Sequence, residues 1–570
     1  MGPSPQRPCD GLTGRCPRGR LARVTEHTSS PASATSSGSS PASPLGHVSD
    51  APTRPAPGGT SSTQGDYDLD VADLFGTATP TEGSQDADLA EKLRQAYFWV
   101  VNHAIISPHY DVEFSAGPGT PETSFRLGDS KALLTLPSDQ SYSSFVLLPL
   151  LTFAVRGRCL LIGGPGRGKT ASAVLMGVLA GYPIQDVRRA MQHGHPQLTV
   201  SDMFGTPLPK DLVQADSLAD VDVAWRSWLG MRVKIVDEYN RIPTRTQSAL
   251  LTVLADGYVE VFDQFYETGE SAWYLTANDD AGGGTYQVVE ALRDRIDVVV
   301  HALPFNNRFL GDLVARAEQG IHPERAVPES IVFDDAQHER LHREVTAVQI
   351  ERPVRRRLEF FASQLELLEG SAWQFEYRTK DTARLAGIDP HLVASSDTGR
   401  DKLSDIGAQT LNGLSVRALQ SLVAYAKAMA YFRGRSSVGL DDLRAVLPFV
   451  LHDKLVPDQQ STVFDDADRE PLRSDRVSWI RTMFDDACAQ YDAYGLDQDD
   501  PVGEVLEQVQ AGLDSLGEDV VLDRMRRIEQ ILAGWEGAGK LHGHVYEDAL
   551  VLKYAHQRYT NYLTWLRWYR

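Results

Sequence analysis

The run Arg158-Cys-Leu-Leu-Ile-Gly-Gly-Pro-Gly-Arg-Gly-Lys-Thr-Ala-Ser-Ala-Val-Leu-Met-Gly-Val-Leu-Ala180 decides the fold. Arg158–Gly163 is a short apolar run closed by glycine, the pattern of a strand buried on both faces of a parallel sheet. Thr170–Ala180 then resumes apolar residues at helical spacing. The loop between them, Gly163 to Thr170, matches GxxxxGK[ST] in full, in the strand–loop–helix context that a phosphate-binding loop requires. Glycines at 163, 166 and 168 let the backbone bend until its N–H groups point inward at phosphate oxygens. The helix behind them adds the positive end of its dipole. Lys169 neutralises β- and γ-phosphates, and the Thr170 hydroxyl is placed to ligate Mg2+. Gly163, Gly164, Pro165, Gly166, Arg167, Gly168, Lys169, Thr170 and Ala171 are therefore the candidate cradle for a nucleotide, with ATP and Mg2+ as its cofactors.

Working outward, Lys234-Ile-Val-Asp237-Glu238 is an apolar strand that ends in two adjacent acids. Asp237 is the candidate for the Mg2+ shell through water, and Glu238 for the general base that polarises the attacking water. Such a pair is common at strand ends, but behind a complete phosphate loop it becomes a site. Trp273-Tyr-Leu-Thr-Ala-Asn278 ends another strand in a polar residue, and Asn278 is the candidate to lie between the two motifs and orient that water. Arg295, just before the apolar run Ile296–Val300, is the candidate to reach a neighbouring subunit's γ-phosphate, in preference to Arg293. An arginine in that role is worth about 10³–10⁵ in rate in GTPases; the alternative is a surface ion pair with Asp294 or Asp297. Arg417 opens a helix further on, from which it would touch the phosphates and couple hydrolysis to movement of a lid.

Strands alternating with helical patterns through residues 86–305 predict a parallel α/β core. After Pro304 the strand signal fades, and 306–457 reads as an all-helical lid punctuated by prolines. Residues 458–570 read as an acidic, helical extension whose last helix places Ala555, Tyr559, Tyr562, Leu566 and Tyr569 on one apolar stripe, read as core packing. Residues 1–85 hold too few apolar side chains to offset the ordering of the chain and read as a disordered tail. Met1–Arg23 lacks the apolar stretch of an export signal. A chain of 570 residues has room for two or three such domains. A net charge of −21 argues against generic nucleic-acid binding, which draws on Lys and Arg to neutralise phosphates. No run of about twenty uncharged apolar residues offers a membrane span. The four cysteines, at 9, 16, 159 and 488, are too scattered for a disulfide framework or a zinc site, which fits reduced thiols in a cytoplasm.

With these elements in order, the sequence resembles the MoxR family of AAA+ ATPases. The sharpest likeness is Val236-Asp-Glu-Tyr-Asn-Arg-Ile-Pro-Thr-Arg-Thr-Gln-Ser-Ala-Leu-Leu251, similar to the family's DEINRA and TQSALLEAM stretches. Ala255-Asp-Gly-Tyr-Val-Glu-Val-Phe262 looks like the β-hairpin insert that precedes the family's sensor strand. Ala291–Asp297 resembles its LLDRF element, which gives the finger role to Arg295. Leu414-Ser-Val-Arg-Ala418 resembles its SPRA element, which makes Arg417 the lid's sensor arginine. Tyr239 and Val416 depart from a usual aliphatic residue and a usual proline, and Trp373–Arg400 has no counterpart. The resemblance spans roughly Leu89 to Pro457 and implies a P-loop AAA+ core with an all-α lid. It further implies a cytoplasmic, Mg2+-dependent, hexameric ATPase that remodels a protein client, commonly beside a separate von Willebrand factor A-domain partner. A magnesium-chelatase-like subunit, a nucleic-acid motor and a scaffold that binds nucleotide without hydrolysing it are the competing readings.

Overall fold

Apolar residues on both faces of every central strand force this chain into layers. The computed structural model describes residues 88–568 apart from 115–123, 129–132, 137–139, 209, 211–220, 262, 279–289, 396–404, 499 and 538–540. The tail expected over 1–85 and the Tyr569 end of the apolar stripe lie outside the described residues. Helix α1 (Leu89–Trp99) starts where Asp88 Oδ1 accepts from the Ala90 and Glu91 N–H groups, an N-cap that meets donors otherwise left unpaired. Helix α2 (Ser144–Val155) is apolar all round and is accordingly buried all round. There follow β1 (Arg158–Ile162), α3 (Lys169–Leu179), β2 (Gln192–His193), β3 (Val233–Asp237) and α4 (Thr244–Asp256). The hairpin strands β4 (Tyr258–Val261) and β5 (Gln264–Glu267) lead to β6 (Ala272–Ala277), α5 (Glu290–Asp294) and β7 (Val298–His301).

Five of these strands form one parallel sheet in the order β7-β1-β6-β3-β2, while β4 and β5 pair antiparallel with each other. Successive strand residues point to opposite faces. Cys159, Leu161, Tyr274, Val298 and Val300 join an apolar cluster with α2 and α3, whereas Leu160, Trp273, Leu275 and Val299 join another with α4. The register sets Ile162 beside Ala277 and Ile162 beside His301, so the strands end together at one carboxyl edge. That edge is where open α/β sheets place their ligands.

The helical part comprises α6 (Leu310–Gln319), α7 (Asp335–Ala347), α8 (Arg352–Glu366), α9 (Val416–Phe432), α10 (Leu440–Leu451), α11 (Arg476–Ala493), α12 (Pro501–Gln510), α13 (Glu518–Trp535) and α14 (Gly543–Trp568). α7 and α9 pack on α2, and α9 on α10, so one apolar cluster runs from the sheet face into the lid. The C-terminal region divides. Trp479, Ile480, Met483 and Phe484 of α11 enter the lid cluster, while α12–α14 build their own around Val505, Ile528, Leu552, Ala555 and Tyr559. Of the expected stripe, Ala555 and Tyr559 are fully buried and Tyr562 packs at the rim. The next buried position is Leu563 rather than Leu566, because the core-facing step after Tyr559 is four residues.

Two buried histidines work against the fold on acidification. His338 is fully buried, its Nε2 2.8 Å from the Phe153 carbonyl, and burial depresses its pKa to about 4. His544, against the Phe360 ring, is depressed to about 4 for the same reason. Above pH 6.5 neither state binds these protons; between 6.5 and 4 the unfolded chain takes them up and the native chain does not, so these two groups lower stability on acidification, while Glu547 and Asp548, raised by burial to about 7 and about 6, act in the opposite direction. Each histidine contributes up to about 3 kcal/mol across that window. The thermal midpoint of His338→Gln should fall less steeply than that of wild type between pH 6.5 and 5, and equal slopes would remove His338 from this account.

Candidate active site

The phosphate loop turns on Gly166 and Gly168, with φ of 74° and 79°, values that side chains resist. Lys169 opens α3 and is buried, its Nζ donating to the Gly163 and Gly164 carbonyls at 2.5 and 2.8 Å and to Asn278 Oδ1 at 2.9 Å. Asn278 Nδ2 in turn donates to Glu238 Oε1 at 2.9 Å. The amide is oriented by charge on both sides: its oxygen meets a cation and its NH2 meets a carboxylate. Thr170 Oγ1 donates to Asp237 Oδ1 at 2.8 Å. Lys169, Thr170, Asp237, Glu238 and Asn278 are thus brought together in one hydrogen-bonded set.

Three partners of that set were not singled out from sequence. Thr276 Oγ1 donates to Asp237 Oδ1 at 2.7 Å and accepts from the Glu238 N–H at 3.0 Å, tying the two acids to β6. Arg241 Nη1 lies 3.2 Å from Glu238 Oε2, and His193 Nδ1 3.5 Å from Asp237 Oδ2. Glu238 itself is left-handed, φ 53° and ψ 47°, at a cost on the order of 1–2 kcal/mol for a side-chain-bearing residue. Its backbone bond to Thr276 holds the turn. Arg241 stood in the stretch quoted from sequence; His193 carried no signal, because only the parallel pairing of β2 with β3 sets it opposite Asp237.

Thr170 and Asp237 offer only oxygen and leave the remaining positions to water and phosphate, which is how Mg2+ is held. Beside the loop opens a cavity of about 510 Å³. Gly166, Arg167, Gly168 and Ala171 form one wall; Ile105, Ile106, Pro108, Leu175, Leu303 and Phe305 form the apolar remainder. An apolar slot next to a phosphate cradle suits a nucleobase and sugar. Its wall comes from segments about two hundred residues apart in sequence, and no spacing rule joins them.

The two arginines meet elsewhere. Arg295 and Arg417 line a cleft of about 330 Å³ with Arg158 and Asp297, and no phosphate-loop residue lines it. Arg295 Nη1 donates to the Ala291 carbonyl at 2.8 Å, while its Nε is buried without a hydrogen-bond partner among the described residues. The ion pairs weighed for Arg295 are made by others: Asp294 pairs with Arg417 at 3.2 Å, and Asp297 with Arg158 at 3.4 Å. Arg293 pairs with Asp453 at 3.7 Å.

Residues 406–473 match the AAA lid domain family. No curated protein matches the chain's sequence. Among solved structures, a candidate ATPase from Cytophaga hutchinsonii ATCC 33406 is similar at 20% identity, over 59% of this chain and 89% of that one, with a TM-score of 0.40. A five-stranded parallel core flanked by helices, followed by an AAA lid domain and a helical C-terminal region, defines the class: an α/β P-loop AAA+ fold. The lid match and the core together support an AAA+ ATPase. Among the described residues no helix is long and apolar enough to cross a membrane.

Proposed function

We propose that this chain hydrolyses ATP with Mg2+ as a MoxR-type AAA+ motor, working as a ring, and that it remodels a protein client beside a von Willebrand factor A-domain partner in the cytoplasm. The observation that carries the hydrolytic reading is the line Lys169–Asn278–Glu238 set against Thr170–Asp237. The β- and γ-phosphates take the place of the carbonyls that Lys169 now bonds, and the base enters the apolar slot. Thr170 and Asp237 would hold Mg2+, whose chemistry there would be to neutralise charge developing on the phosphate oxygens. Glu238 accepts the proton of the attacking water, and Asn278, anchored on both sides, fixes where that water sits. Arg295 and Arg417, lying together and away from their own phosphate loop, suit the γ-phosphate of a neighbour. The test is ATP turnover by the purified full chain with and without excess EDTA, with particle mass measured in ATP. Turnover that needs both Mg2+ and assembly supports the reading; a monomer that hydrolyses at full rate defeats its shared-site part.

Gly194 gives a further check. Its N–H donates to the Asp237 carbonyl at 2.7 Å, and a Cβ there would stand 2.2 Å from the Glu238 carbonyl oxygen. Gly194→Ala must displace the turn that carries both acids, so turnover should fall at least about tenfold. A rate within twofold or so of wild type would mean that the turn tolerates the shift.

A further inference from the structure

His301 closes β7 and lines the nucleotide cavity. The residue after it is tied to the loop on both sides: Ala302 N donates to the Ile162 carbonyl at 2.7 Å, and its own carbonyl accepts from Arg167 Nη1 at 2.9 Å. From the lid, His452 caps the C-terminal end of α10 and sets its Nε2 3.1 Å from His301 Nε2, the ring centroids 4.7 Å apart. His452 Nδ1 lies 2.9 Å from Asp453 Oδ1, and Asp453 reaches Arg293 on α5, the helix that also carries Asp294 and leads into Arg295. A continuous polar chain therefore runs from the cavity wall to the helix before the candidate finger.

Proton counting fixes what this chain tolerates. Asp453 accepts, so His452 Nδ1 carries a proton. A single hydrogen bond between the two Nε2 atoms needs one proton between them. Either neutral His452 accepts from His301 Nε2–H, or charged His452 donates to neutral His301. A second charge leaves two N–H groups facing each other at 3.1 Å and breaks the contact. We propose that the His301–His452 pair is a latch, holding one extra proton at most, through which the nucleotide cavity grips the lid and α5.

Several other charged or titratable groups surround the latch. Asp453, Lys454 and Arg476 face it from the lid side, Arg293 and Tyr239 from the core side, and His109, Asp111, Arg167 and Glu324 share the cavity with His301. Burial acts against the Asp453 charge, but the His452 hydrogen bond and the neighbouring cations hold its carboxyl below the usual range, so Asp453 stays an acceptor for His452 Nδ1.

The latch is tested without nucleotide, by hydrogen exchange of α10 from pH 8 to 5.5, corrected for intrinsic exchange rates. Wild type should lose protection at the His452 end as the pair takes its second proton. His452→Phe should be less protected at every pH with no such step, and His452→Gln, which keeps a donor and an acceptor, should be protected without the step. Equal pH dependence in wild type and both variants overturns the latch. The coupling to the cavity rests on the ATPase reading above: His452, which does not line the cavity, is the residue to change, and His452→Phe should raise the KM for ATP about fivefold with kcat nearly unchanged, His452→Gln less. An unchanged KM in both overturns that coupling even where the exchange step is present. A wild-type protein that exchanges as described yet neither binds nor turns over ATP instead defeats the ATPase reading and leaves the latch standing.

Discussion

Glu238→Gln should bind ATP as tightly as wild type and turn it over at least about a hundredfold more slowly. The isosteric amide keeps the volume and one oxygen for Asn278 Nδ2, which now donates to Glu238 Oε1 at 2.9 Å, but it accepts no proton from water. Lys169 and Thr170 are untouched, so the phosphates are still held. The measurement is single-turnover hydrolysis beside equilibrium binding of a fluorescent nucleotide. Loss of binding together with rate would show Glu238 to be a structural prop for its own left-handed turn rather than the base. A retained rate would move the base to another group, with Asp237 the nearest carboxylate.

Arg295→Ala should cost about a thousandfold in turnover and leave nucleotide affinity within a few-fold of wild type. Its place in a cleft apart from its own nucleotide cavity argues that the group it serves comes from outside the chain. Mixing gives the decisive form of the test. Arg295→Ala and Glu238→Gln proteins, each nearly inactive, should regain activity when combined, because some interfaces then pair an intact Glu238 with an intact Arg295. No recovery on mixing, with subunit exchange verified by mass, would return Arg295 to service within its own chain. Arg417, ion-paired to Asp294 in the same cleft, should behave alike with a smaller loss, since its replacement leaves Arg295 in place.

The hydrogen-bonded set around Lys169, Asp237 and Glu238 was legible in the sequence because local geometry carries it. A phosphate loop is a run of consecutive residues, and the acids and Asn278 sit at strand ends that a parallel sheet aligns without further instruction. What stayed hidden depends on pairing across the sheet or on distant segments. His193 meets Asp237 only through register, and the Ile105 and Phe305 walls meet only through folding. The lid arginine shows the limit of reading motif order as proximity. Arg417 follows the expected pattern, yet the packing of α9 sets it beside Asp294 and Arg295 rather than on the cavity beside the phosphate loop. The C-terminal stripe was visible in outline, but whether Tyr562 or Leu563 faces inward is decided by the neighbouring helices.

The strand order has a consequence for how this chain can be cut. β7 is an outermost strand of the sheet, paired among the described residues only with β1, and α10 of the lid lies against it. Remove everything after residue 305 and that rim loses its cover, leaving an apolar strand as a template for a second molecule's backbone. The isolated α/β core should therefore associate edge to edge and precipitate, and its insolubility would say nothing against the fold. In this chain the lid covers the rim at which such self-association would start.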